Sequence, residues 1–181
     1  MKQDASTLWH GTIPVLACMA MLICAARAVA EAPPKPPELK VLDKLIGDWD
    51  FKMVSKVAEW TPNEVQVTGT LTREWILDGR FVQEKGKQSD GVEALVTFTY
   101  DAGRKAYRSW HFSSTGLISQ SQGKWDEASQ SLLFQSDMDN GMTATSTLHI
   151  IDNDTHEWTA IVKDKAGKVF FDGGGKCTRR K

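Results

Sequence analysis

Few of the residues that usually do chemistry stand at spacings that chemistry would use. Asp172-Gly173-Gly174-Gly175-Lys176 has the outline of a phosphate loop, but a P-loop needs a glycine five residues before its Gly-Lys pair, and Phe170 holds that place. Glycines here suit a last strand that must bulge or let another backbone approach closely. Asp137-Met138-Asp139-Asn140-Gly141 imitates a calcium loop, yet its glycine comes one position early and Leu148 stands where the bidentate Glu belongs. His149, Asp152, Asp154 and His156 bracket one turn and offer the donors that zinc or copper takes. Against this, His149 shares a strand face with Thr143, Thr145 and Thr147, and Asp152 to Thr155 makes an Asx-type turn in any case. A haem barrel needs one axial histidine in an apolar pocket, and His111, His149 and His156 are the weak metal-ligand candidates. There is no Gly-x-Ser-x-Gly elbow, and Cys177 has no neighbour in sequence that would activate it. No catalytic residue is assigned, and the reading leans away from an enzyme.

The elements that must position these residues begin after residue 30. Met1 to Ala30 has the grammar of a secretory signal: Lys2, an apolar stretch from Ile13 to Ala26, then Ala28-Val29-Ala30 before the expected cut. The stretch is shorter than the about 20 residues a spanning helix needs. A retained anchor and a lipoprotein cut at Cys18 are the alternatives. Export to the periplasm or the extracellular space is expected, with no stable membrane insertion once the signal is gone. Of three cysteines only Cys177 would remain, so burial alone must stabilise the 151 residues left of 181. Removing Lys2, Arg27 and Asp4 from 22 basic and 23 acidic residues leaves 20 and 22, a balance with no basic stripe for nucleic acid.

Residues 31–37, with four prolines, predict a stiff linker. Glu38 to Ile46 predicts a short helix with Leu39, Leu42, Leu45 and Ile46 on one face, stopped by Gly47. Beyond it, turn pairs recur at even intervals: Pro62-Asn63, Asp78-Gly79, Asp90-Gly91, Ala102-Gly103, Thr115-Gly116, Glu127-Ala128, Asn140-Gly141, Asn153-Asp154 and Ala166-Gly167. Nine turns divide ten strands with period-two alternation, as in Val92-Ala94-Val96-Phe98-Tyr100. Short turns of equal pitch imply an all-β, up-and-down antiparallel barrel over residues 38–181, closed to remove its edges and capped at one end by the helix. A two-sheet sandwich is the alternative.

Gly47-Asp48-Trp49, opening the first strand after a short helix, resembles the Gly-x-Trp start of the calycin superfamily. That resemblance implies a basic residue on the last strand, Arg179 or Arg180, packed across Trp49 at the barrel closure. Leu45-Ile46-Gly47-Asp48-Trp49, Leu77-Asp78-Gly79-Arg80-Phe81-Val82 and Tyr107 to Trp110 resemble the exported bacterial family known as domain of unknown function 1579, which implies a lipocalin-like barrel and no established activity. The family's usual Gly-Tyr-Asp step is Thr99-Tyr100-Asp101 here, and His111 stands where an acid follows its tryptophan.

Ten strands enclose more than side chains alone fill. Ala94, Ala144, Ser146 and Ala160 are small at expected inward positions, with Ser119 and Ser121 on a less certain face. The expected function is binding of a small apolar molecule, walled by Trp75, Phe98, Tyr100, Trp110, Trp125 and Trp158, with Arg73 and Arg80 as cations for an acidic head group. The alternative is a scaffold or protein-interaction domain without a ligand. Oligomeric state is left open.

Overall fold

The structure, a computed structural model, describes residues 32–138 and 141–181. The signal and its cut at residues 1–30 lie outside the described residues, as do Asp139 and Asn140 of one turn. Among the described residues ten strands follow a single helix: β1 (Gly47–Ser55), β2 (Val65–Ile76), β3 (Phe81–Gln88), β4 (Glu93–Asp101), β5 (Ala106–Ser113), β6 (Ile118–Asp126), β7 (Ser131–Asp137), β8 (Thr143–Ile150), β9 (Thr155–Lys163) and β10 (Val169–Arg179). Each is antiparallel to its sequence neighbour, and β1 also pairs with β10, so the ladder closes as the expected up-and-down barrel. The expected turns that lie wholly among the described residues all fall between strands. Alternation is plainest on β2, where Val67, Leu71 and Arg73 are buried between exposed Thr68, Thr70 and Thr72.

The helix runs from Pro37 to Leu45 and winds at three residues per turn, tighter than the α form. That pitch stacks Leu39, Leu42 and Leu45 in one column, and all three are buried. Pro37 costs nothing at the first position, whose N–H would lack an intrahelical partner anyway. The helix stoppers one end of the barrel. Tyr107 Oη donates to Glu38 O at 2.8 Å, Trp75 Nε1 donates to Asp43 Oδ1 at 2.9 Å, and Lys44 Nζ lies 5.3 Å from the centre of the Trp125 ring.

Closure is fastened next to this stopper. Trp49 is fully buried and its indole N–H donates to Leu45 O at 2.9 Å. Arg179 is its cross-strand partner, with the guanidinium 4.1 Å over the indole, Nη1 donating to Ile46 O at 2.6 Å and Nε to Asn153 O at 2.8 Å. One side chain thus ties the helix end, β1, β10 and the β8–β9 turn. Gly47 makes room for it: φ is +130°, and a Cβ would stand 2.3 Å from Arg179 Nη1. The glycine run of β10 lies against β1, and a Cβ on Gly175 would come within 2.8 Å of both Lys52 O and Trp158 Nε1. The strand is irregular just before it, between Val169 and Phe171.

Arg179→Ala removes a cation–π contact, hydrogen bonds to the carbonyls of Ile46, Asn153 and Lys44, and an ion pair with Asp154. It is expected to lower unfolding stability by about 3 kcal/mol, read as a fall in the urea midpoint at unchanged slope.

Candidate functional site

The strand register decides which side chains enter the barrel. Near the stoppered end the interior is dry: Leu71, Val82, Phe98, Tyr107, Leu132, Phe134, Leu148 and Ile150 are buried among the helix leucines or beside them. Further along, inward-facing Met53, Val96, His111, Trp158 and Ala160 keep partial exposure although they point away from bulk solvent. On that half the inward side chains stay within reach of solvent. Small inward residues are the reason, since Ala144, Ser146 and Ala160 are linked across β8 and β9 while Ala94 lies on β4.

One cross-strand row carries the interior's buried ion pair and one of its two inward histidines. Arg73, Glu84, Val96, His111 and Ser119 are successive partners on β2 to β6. Arg73 is 3% exposed; its Nε donates to Glu84 Oε2 at 2.6 Å and its Nη1 lies 2.7 Å from His156 Nε2. An arginine only donates, so Nε2 of His156 accepts and the ring proton belongs on Nδ1. That buried Nδ1 has no hydrogen-bond partner. Burial, then the positive charges of Arg73 and Arg179, push His156 down to about 2. Burial also lowers His111, opposed by the Glu84 carboxylate. Cys177, the cross-strand neighbour of His156, has its thiol pushed up to about 11 by burial. At neutral pH the imidazoles and the thiol are uncharged, and the Arg73 cation is matched by Glu84.

Serines line the wall beside His111. Ser109 pairs with Ser121, and the Ser121 and Ser136 hydroxyls hydrogen-bond where β6 and β7 part beyond their Gln122–Gln135 pair. At that parting lies a groove of about 760 Å³ lined by Ser119, Ser121 and Ser136 together with the outward Arg108, Gln120, Gln122 and Gln135. The opposite inner wall is apolar, with Phe51, Met53, Trp158 and Phe171.

The structure distributes the residues singled out from sequence over four places. Arg73, Phe98 and Trp158 face the interior, but the Arg73 charge is taken up by Glu84 and is not held for an acidic head group. Trp75, Tyr100 and Trp125 point inward at the stoppered end, where they pack on the helix cluster. Trp110 is on the outer face, because β5 turns Tyr107, Ser109 and His111 inward; its ring lies 5.3 Å from the Arg108 guanidinium and it does not wall the interior. Arg80 belongs to the β2–β3 turn, where its carbonyl accepts from Thr99 Oγ1 at 2.7 Å. Of the histidines, His149 is outside and donates from Nδ1 to Ser129 O at 2.8 Å, Nε2 of His156 is occupied by Arg73, and His111 alone of the three faces the partly exposed interior. Among the described residues no three His, Cys, Asp or Glu side chains gather closely enough to hold a metal ion. Sequence reasoning missed Glu84 and the His156 contact, and it left open the face of Ser119 and Ser121, which the register turns inward. Glu84 was detectable on the Val82-x-Glu84-x-Gly86 face, one polar residue between two inward ones.

Because the folded-state value of His156 lies below the unfolded 6.5, unfolded chains take up a proton that the native state refuses, and stability falls with pH. The cost grows as pH drops below 6.5 and below about pH 5.5 approaches about 1.4 kcal/mol for each further unit. His156→Gln should flatten that slope in urea titrations, leaving the smaller contribution of the same sign from His111.

A family described as "Protein of unknown function (DUF1579)" matches residues 35–170. No curated protein matches the sequence. Among solved structures, Rv2717c from M. tuberculosis superposes with a TM-score of 0.62 at 11% identity over 82% of this chain and 100% of that one. The S-type phycobiliprotein lyase CPES from Guillardia theta gives 0.53 at 10% identity over 78% and 92%. At these identities the likeness is one of fold.

Proposed function

The chain belongs to the DUF1579 family, and we propose that it is a carrier whose barrel holds a small, neutral, largely apolar molecule. The observation that supports this reading is the partial exposure of inward Met53, His111, Trp158 and Ala160 beside a fully packed, stoppered end. Such a hollow is concave, mostly apolar and supplied with a few convergent polar groups, which is the usual form of a small-molecule site. Its charge balance favours a neutral guest: Arg73 is compensated by Glu84, and both inward histidines are held deprotonated. Ser119, Ser121 and His111 would hydrogen-bond one edge of the guest while Met53, Trp158 and Phe171 cover its apolar face. That a phycobiliprotein lyase is built on the same fold supports an interior that does more than pack. The carrier acts outside the cytoplasm, in the periplasm or beyond the cell, exported by the segment at residues 1–30.

Titration with Nile red, a neutral apolar dye, tests the reading. Wild-type protein is expected to bind it with quenching of tryptophan emission, and Ala160→Trp to weaken binding at least about tenfold with little change in melting temperature, because the indole occupies empty space. An interior already full would instead make Ala160→Trp destabilising by about 1–3 kcal/mol, and with no dye bound by the wild type the scaffold alternative would stand.

A further inference from the structure

The outer wall near the open end carries an apolar band that the barrel's own packing does not use. Leu95, Phe112 and Ile118 are cross-strand partners on β4, β5 and β6. They alternate with inward Ala94, His111 and Ser119 and therefore face out. Phe112 is 40% exposed, Ile118 71%, and Leu117 in the turn between them 46%. The hairpin bearing them has no Asp, Glu, Lys or Arg from Ser109 to Gly123, in a chain of which 25% of residues are charged. Solvent-facing strands ordinarily carry charge on the outer face, both for solubility and to discourage association. A long uncharged stretch with large apolar side chains at its tip suits a medium in which charge is costly.

The border of the band has a composition of its own. One row toward the stoppered end, the Arg108 guanidinium lies over Trp110, a pairing of an amphipathic ring with a long cationic side chain that suits a lipid–water boundary. On the other flank, Lys85 and Lys87 edge a groove of about 500 Å³ whose wall includes Leu95 and Phe112. Their ion pairs with Glu74 and Glu93 are on the surface and exchange readily for lipid phosphates. Across the same end, Val57 and Trp60 in the β1–β2 turn are 68% and 48% exposed.

We infer that the β5–β6 hairpin is a membrane-docking element that lowers Phe112, Leu117 and Ile118 into the interfacial layer of a phospholipid bilayer and sets the barrel mouth against lipid. A lipid surface fits better than a protein partner for two reasons. The apolar points protrude from separate turns around the mouth, which a bilayer accommodates without shape complementarity, and cations and tryptophans border them where headgroups would lie. Docking is peripheral and driven by apolar burial, so salt affects it little. It also gives an apolar guest a path between bilayer and interior that avoids water, and only this last consequence rests on the carrier reading.

Hydrogen exchange on the full chain, with and without phosphatidylcholine vesicles, tests the inference at the hairpin itself, whatever residues 1–30 do. Amides of residues 112–118 are expected to slow about tenfold with vesicles, while those of the β2–β3 turn at the far end stay unchanged. Phe112→Ser combined with Ile118→Glu should abolish the slowing yet bind Nile red as the wild type does. Unchanged exchange at 112–118 in the presence of vesicles overturns the inference. So does slowing that appears without vesicles as protein concentration rises, since a second copy would then cover the band. Slowing with vesicles in a protein that binds no Nile red would leave docking standing and remove the carrier reading.

Discussion

Pairing between β1 and β10 turns a ten-stranded ribbon into a container. An open ribbon of this length would present two unpaired edges and one apolar face to water, and the cost of both disappears when the ends meet. The meeting is made specific by a short list of side chains. Trp49 fills the seam, Arg179 covers it and bonds to the chain just before β1, and the β10 glycines let the backbones of β1 and β9 come close. The helix leucines seal the end beside the seam. Every feature of the interior, dry or open, depends on this closure.

The buried polar residues impose a second constraint. A lone arginine in such an interior would be prohibitive, and Arg73 persists because Glu84 accepts from it on one side and His156 on the other. The arrangement fixes the His156 tautomer, and burial beside it keeps the thiol of Cys177 protonated. Groups that in isolation would suggest catalysis are here held in place by one another.

Much of the architecture was legible because turn chemistry is local. Asp78-Gly79, Asp90-Gly91 and Thr115-Gly116 announce their hairpins within a few residues, and the strand count and sheet order follow from them. The winding of the helix was less legible, since Leu39, Leu42 and Leu45 fit either pitch. The site was legible only in outline. Alternation brings Phe98 and Trp158 inward, and Arg73, the one charge on the Val67-x-Gly69-x-Leu71 face, stood out as a buried cation. Its partners differ: Glu84, eleven positions away across the β2–β3 hairpin, stands out as the polar residue of an inward face, whereas His156, eighty-three positions away, meets it only when the barrel closes. Trp110 shows the limit of alternation on β5, where Tyr107, His111, Trp110 and Phe112 give both faces aromatic character and only register chooses between them.

The leucine stopper makes the barrel a cup and not a tube. The polar row slants across it, two residues from the open rim at His111 on β5 and eight at Arg73 on β2. Whatever reaches the inward residues must therefore come from the side away from the helix.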